Sequence, residues 1–436
     1  MEKNRFTIKY VYPTQAISVL IVVIGSLVDG IMINTFLGDT AQAAYGLTMP
    51  LTLANAAFCG LISNGVQVLI GRSSGRNDQD EIDRIYTTAT VLGLILSLFI
   101  VIPCLVMSRK AAILLGAIND EMIQMTADYI QVIVLSFPLI MVTSMFPALF
   151  TLSGRKRAPM IAAIVLCISD IFLNYLNIKV IHWGMRGMAL ATVLAYIISY
   201  ASFMADKHMA TQRIFKFKLK EFENHLIKDL FRYGNMYFVY KICSAAMSFA
   251  FVKTLSSKGE NYLTANAILS NVSLVTEAFT SASNNTTNML CSYWVGKNDN
   301  DGLRKFLDRM MKTSILIHIS LAAICILGAR IIVRPFHVES ELSFSLAVTA
   351  ISLYSLCMPF NAVNGIYRAY DLCTDRRKSA YTLTVLNFFV MPVAAMLIMA
   401  ALCRPQYIWA AYVLGQGLVT LAVTRKVLSD WRELIS

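Results

Sequence analysis

The chain has 436 residues, of which 57% are hydrophobic and only 15% charged, and its mean hydropathy is +0.60. A soluble core has no use for that much apolar surface, so a soluble enzyme or binding domain is excluded. A net charge of +12 would suggest nucleic acid on a soluble protein, but here its placement along the chain points to a bilayer.

In chain order the apolar runs fall at roughly 12–37, 44–70, 85–107, 124–152, 158–181, 184–205, 228–255, 262–295, 306–329, 342–370, 379–402 and 406–428. Each is long enough to cross a hydrocarbon core of about 30 Å at a rise of about 1.5 Å per residue. The expected fold is an all-α integral membrane protein with twelve transmembrane helices in two pseudo-symmetric six-helix bundles. The expected boundaries are 1–206 for the N-terminal bundle, 207–227 for a basic connector and 228–436 for the C-terminal bundle.

Prolines punctuate these runs. Pro13, Pro159 and Pro405 are expected in the first turn of a span, where a missing N–H costs nothing. Pro50, Pro138, Pro147, Pro359 and Pro392 fall within or near the ends of runs, where a proline kinks a helix. The Asp residues of Gly75–Glu81 and Gly296–Asp301 suit helix N-termini, by capping and by the dipole. Neither loop has the ligands of a calcium loop.

Roughly 27 of the 38 Lys and Arg lie at the N-terminus, in the even-to-odd loops or at the C-terminus, the positive-inside pattern of a protein with both termini cytoplasmic. The richest stretch, Lys207 to Arg232, reads as a basic amphipathic segment resting on anionic lipid. No cleavable signal peptide is expected. The nine cysteines are singletons, mostly within apolar spans, and read as small apolar filler. Five scattered histidines form no zinc spacing, and Gly71–Gly75 lacks the phosphate-loop pattern. An integral-membrane enzyme would need a His, acid or metal cluster near one interface, and none is visible. No cofactor and no nucleic-acid partner are expected.

The chain also contains itself twice. At a shift of about 221 residues, Gly75-Arg76-Asn77-Asp78 lands on Gly296-Lys297-Asn298-Asp299, and Gly38-Asp39 on Gly259-Glu260. Asn64 lands on Asn285, Pro138 on Pro359, and Arg155-Lys156-Arg157 on Arg376-Arg377-Lys378. Six spans per repeat keep both copies in one orientation. Duplicated membrane units point to a transporter with its path between the repeats.

Charged groups inside spans are costly and therefore informative. Asp29 lies in the first span and Asp170 in the fifth, with Asn174 at i+4 on the same face and Thr192 in the sixth. Counting from the outer ends, Asn174, Asp29, Thr192 and Asp170 lie about 10, 12, 13 and 16 Å deep, one layer of the outer leaflet. Two readings are open: a hydrogen-bonded cluster locking three helices, or a cation site for proton or sodium. The second accounts for two carboxylates side by side, which need a shared proton or cation. The second half lacks this set, since Ala250 stands at the Asp29 position and Met391 at the Asp170 position. It holds Lys241 and Glu277 instead, either a buried ion pair or a substrate contact. Asn64 with Gln67, and Asn285 with Asn288, each make a polar strip that lines a path or joins helices.

Val28-Asp29-Gly30-Ile31 through Leu37-Gly38, and then Ala41 to Pro50, resemble the opening of the multidrug and toxic compound extrusion (MATE) family. So do Ser153 to Met160 before the fifth span and Gly184-Met185-Arg186-Gly187-Met188-Ala189-Leu190-Ala191-Thr192 opening the sixth. The resemblance implies two six-helix bundles facing a cavity. It also implies monomeric efflux of small organic, often cationic, compounds across the cell inner membrane in exchange for inward protons or sodium. It assigns the coupling ion to Asp29, with Asp170, Asn174 and Thr192 as partners. Where the family usually reads Asn-x-x-x-Asp in the fifth span, Asp170-Ile171-Phe172-Leu173-Asn174 has the two swapped. A sodium cage tolerates that shift less well than a proton site, so the proton is the preferred ion. The alternative within the superfamily is a lipid-linked oligosaccharide flippase. The acid that another branch carries midway along the seventh span is absent around Ser244.

Overall fold

The structure, a computed structural model, describes residues 8–117, 119–210, 213–336 and 340–433. Among these residues helix is the only regular secondary structure, with no strand. The spans run as Ile8–Leu37; Asp39–Leu47 with Met49–Gly75; Gln79–Val106; Asp120–Ile133 through Phe146–Leu152; Ala158–Leu176; and Gly184–His208. The second set is Asn224–Ser256; Glu260–Gly296; Asn300–Leu327; Glu341–Ser355 with Met358–Cys373; Arg377–Val385 through Met391–Leu402; and Ala410–Glu433. Ten are long and apolar enough to cross a bilayer by length and composition. The eighth, Glu260–Gly296, falls outside that set because it carries a row of Asn, Ser and Thr. In the twelfth only Ala410–Thr424 is apolar.

The backbone divides into two compact units, Met1–Asn235 and Met236–Ser436. Their internal landmarks repeat. Asn77 and Asn298 both take the left-handed conformation (φ 58° and 55°). Asp78 then caps the third span by accepting from Glu81 N at 2.9 Å, and Asp299 caps the ninth by accepting from Gly302 N at 2.7 Å. Gly38 and Gly259 both precede a helix at positive φ (87° and 115°). Each side-chain cap satisfies an N–H that a helix start leaves orphaned.

The prolines act as helix starters more than as kinks. Pro50, Pro138, Pro147, Pro359 and Pro392 occupy the first two positions of a new helical segment. Pro138 follows a 3₁₀ turn at Val134–Ser136, and Pro359 follows a break after Ser355, so the fourth and tenth spans are interrupted at equivalent places. Pro13 departs from expectation, because the helix is already formed at Ile8, the first described residue, and the proline lies inside it.

The basic connector is tied into the N-terminal unit through its backbone. Its backbone is non-helical between Arg213 and Lys218, extended at Lys218, and is strapped to the third span. Lys216 N donates to Asp83 Oδ1 at 2.8 Å, Lys218 N to Thr87 Oγ1 at 3.3 Å and Glu223 N to Thr88 Oγ1 at 3.1 Å. Arg213 pairs with the fully buried Asp83. Phe215 is sunk among Tyr86, Phe146 and Phe150. Extended backbone must place its N–H groups somewhere. Here the polar residues of the third span accept them, and the lysine side chains are left facing outward.

Candidate functional site

In the N-terminal unit the fifth span packs against both the first and the sixth. Its buried face carries Asp170, Asn174 and Asn177 at i, i+4 and i+7, at 6%, 1% and 3% exposure. Asn177 fixes the helix end: its Oδ1 accepts from Trp183 N at 3.1 Å and its Nδ2 donates to Gly184 O at 3.0 Å. A Cβ on Gly187 would lie 1.8 Å from that Oδ1, so only glycine lets the sixth span close on the fifth. A π-helical turn at Asn177–Ile181 begins at the same place. Ser199 Oγ ties the two spans again by donating to Ala162 O at 3.1 Å.

This packing brings the four predicted residues together. Asn174 Nδ2 donates to Asp29 Oδ1 at 2.9 Å. The Asp29 and Asp170 carboxyls lie within interaction range of each other, and the Thr192 hydroxyl adjoins Asp170. Two acceptors, Asp170 Oδ1 and Asn174 Oδ1, are buried without a hydrogen-bond partner. Buried oxygens in that condition are sites for a proton or a cation.

Three tyrosines that the sequence reading did not single out surround the acids. Tyr45, Tyr129 and Tyr196 each lie in electrostatic range of Asp29 and Asp170. Tyr45 meets Tyr129 edge to face, with centroids 5.5 Å apart. Tyr196 was the accessible one, four residues beyond Thr192 on the same helix face.

The other predicted residues are placed elsewhere. Asn64 Nδ2 bonds back to Gly60 O of its own helix at 2.9 Å, and Gln67 is buried with Oε1 unsatisfied. In the C-terminal unit Asn285 is half-buried and Asn288 buried, and the neighbouring Asn284 presses on Gly365 of the tenth span.

Lys241 Nζ lies 3.4 Å from Glu277 Oε1, and the Tyr240 hydroxyl donates to the same oxygen. The two side chains meet as a partly buried pair, each keeping about a third of its surface exposed (32% and 36%). Glu277 lines a cavity of about 140 Å³ together with Tyr240, Ser244, Thr276, Tyr354 and Gln416. The eighth span supplies a row of polar residues to that cavity: Asn266, Ser270, Ser273, Glu277 and Thr280. Their alternating spacing of four and three residues puts them on one helix face, a signal legible in the sequence but not read there. Thr280 also meets the fully buried His318, whose Nε2 lies 3.2 Å from its hydroxyl. Among the described residues no His, Cys, Asp and Glu group has the makings of a metal centre.

The family model MatE matches the chain twice, over residues 15–176 and 238–399. The chain belongs to the MATE family. It is therefore a membrane transporter, and the two matches fall on the two copies of the repeat. Solved MATE structures share the fold at low identity. A MATE crystallised in complex with MaL6 aligns with a TM-score of 0.87 at 18% identity, over 98% of this chain and 96% of its own. An outward-facing multidrug-resistance MATE transporter of the MOP superfamily gives 0.88 at 18% identity, with the same coverage. So does a MOP superfamily transporter from Pyrococcus furiosus, described as having a binding pocket of reverse polarity that suggests a different function. No curated protein sequence matches the chain significantly.

Proposed function

We propose that this MATE transporter is a secondary active antiporter of the cytoplasmic membrane. It exports small organic compounds in exchange for inward protons, both termini being cytoplasmic. Asp29 carries the coupling proton, and Asp170, Asn174 and Thr192 are its partners. The observation that carries this reading is the pair of orphaned buried oxygens, Asp170 Oδ1 and Asn174 Oδ1, beside the Asp29 carboxyl. A cluster that only locked helices together would be served by neutral groups with every acceptor filled. Two carboxyls held in contact need a shared proton or cation, and losing it changes the charge of three packed spans at once. The swapped order of Asp170 and Asn174 favours the proton over sodium, because a proton needs one carboxyl and not a cage. The excess of Lys and Arg in the even-to-odd loops supports the orientation.

The test uses purified protein in liposomes loaded with a fluorescent organic dye, given either a pH step or a sodium step at constant pH. Efflux should follow the pH step, and Asp29→Asn should abolish it while leaving insertion intact. Efflux driven by sodium alone would overturn proton coupling. Efflux by Asp29→Asn at the wild-type rate would remove Asp29 from the mechanism.

A further inference from the structure

Around Tyr240 the C-terminal unit gathers two cations and one acid. Lys241 is paired with Glu277 at 3.4 Å. Arg368, on the tenth span, lays its guanidinium over the rings of Tyr240 and Phe388, 5.2 Å from each centroid. Its Nη1 is buried without a hydrogen-bond partner. Its electrostatic neighbours are the phenols of Tyr240 and Tyr237, and among the described residues no carboxylate comes within 4.0 Å of it. Asp371, one turn further along the same helix, engages other groups. The cluster therefore holds one more positive charge than negative.

A guanidinium inside a membrane protein ordinarily meets a carboxylate. Two aromatic faces attract the cation but give its N–H donors nothing to bond. The group that suits such a donor is a planar oxyanion, which the fork of an arginine binds through two parallel hydrogen bonds. Tyr240 and Phe388, the platform for Arg368, are also a wall of the cavity of about 140 Å³, with Tyr354 and Tyr412 among its other walls. A space near 150 Å³ holds about one benzene ring. Gln416 Oε1, on the same cavity, is a buried acceptor without a donor.

We propose that Arg368 receives the carboxylate of the transported compound, whose ring enters the adjoining cavity, so that the substrate class is an aromatic organic acid or zwitterion. This rests on the export reading above and narrows it. Lys241 is held to Glu277, so Arg368 is the group that discriminates charge.

The full chain in nanodiscs of zwitterionic lipid is titrated with benzoate, benzamide and benzylammonium by calorimetry. Benzoate should bind at least tenfold more tightly than benzamide, and benzylammonium no better than benzamide. Arg368→Gln should erase the advantage of benzoate, and Arg368→Lys, which keeps the charge and loses the fork, should keep part of it. Equal binding of the three, a preference for benzylammonium, or an undiminished benzoate preference in Arg368→Gln would overturn the proposal. Should Arg368→Gln fail to fold, the wild-type series and Arg368→Lys decide. Repeating the titration with phosphatidylglycerol in the disc separates the two sources of an oxyanion. If that lipid abolishes benzoate binding, the partner of Arg368 is a lipid phosphate and the substrate assignment falls. Benzoate binding without dye efflux under any gradient would leave this inference standing and overturn the antiport reading.

Discussion

In the first span Asp29 meets Asp170 and Asn174, whereas the seventh span has Ala250 at the equivalent position and the eleventh has Met391 where the fifth has Asp170. The C-terminal unit places its charge elsewhere, at Lys241, Glu277 and Arg368, and adds the Asn, Ser and Thr row of the eighth span. Against that divergence the turns have hardly moved. Asp78 and Asp299 cap equivalent helices, and Asn77 and Asn298 share one backbone conformation. A helix start leaves orphan N–H groups whatever the protein transports, so caps persist on physical grounds alone. Interior polar groups have no such generic duty. Where they differ between copies, the first brings two acids together and the second gathers one more cation than acid.

That comparison can be broken at several points besides the loss of efflux expected for Asp29→Asn. Gly187→Ala should be the most damaging to the N-terminal unit. Its Cβ would displace the Asn177 side chain and break the bonds to Trp183 N and Gly184 O, a loss of roughly 2–3 kcal/mol. Thermal unfolding in detergent should show the fall, together with weaker dye efflux as the fifth span shifts against the sixth. An unchanged midpoint would mean that Asn177 does not set this packing.

Lys241→Met and Glu277→Gln probe the other unit. Breaking a dry pair costs about 3–5 kcal/mol, but a third of each side chain is open here, so roughly 1–2 kcal/mol is expected for either single change. The double variant should lose less than the sum. Strictly additive losses would show that the two groups do not interact in the folded protein.

The smallest effect tests the part of the comparison that has not diverged. Asp78→Ala and Asp299→Ala should each cost about 1 kcal/mol, the usual value of an N-cap, and the two costs should match. Hydrogen exchange at Glu81 N and Gly302 N would report them separately. A clear inequality would mean that the repeats differ even in their turns.

Sequence by itself determined the class, the spans and the duplication, because a bilayer imposes length and apolarity on every crossing and a gene duplication leaves one constant offset. It also pointed to Asp29, Asp170, Asn174 and Thr192, since a charge inside an apolar run has few reasons to be there. The row from Asn266 to Thr280 was equally legible by its spacing, but it lies in a long helix rich in Asn, Ser and Thr, where single Ser and Thr residues attract no notice. Other features were decided only by the tertiary structure. Arg368 is, with Lys241, one of two intramembrane cations legible in the sequence; that its neighbours are rings and not acids follows from which helix faces meet. The Lys207–Arg232 stretch has the composition of a lipid-bound segment, yet its backbone is held by Asp83, Thr87 and Thr88, residues more than a hundred positions away. Burial, partners and orphaned oxygens depend on contacts between distant parts of the chain, and local composition carries no record of those contacts.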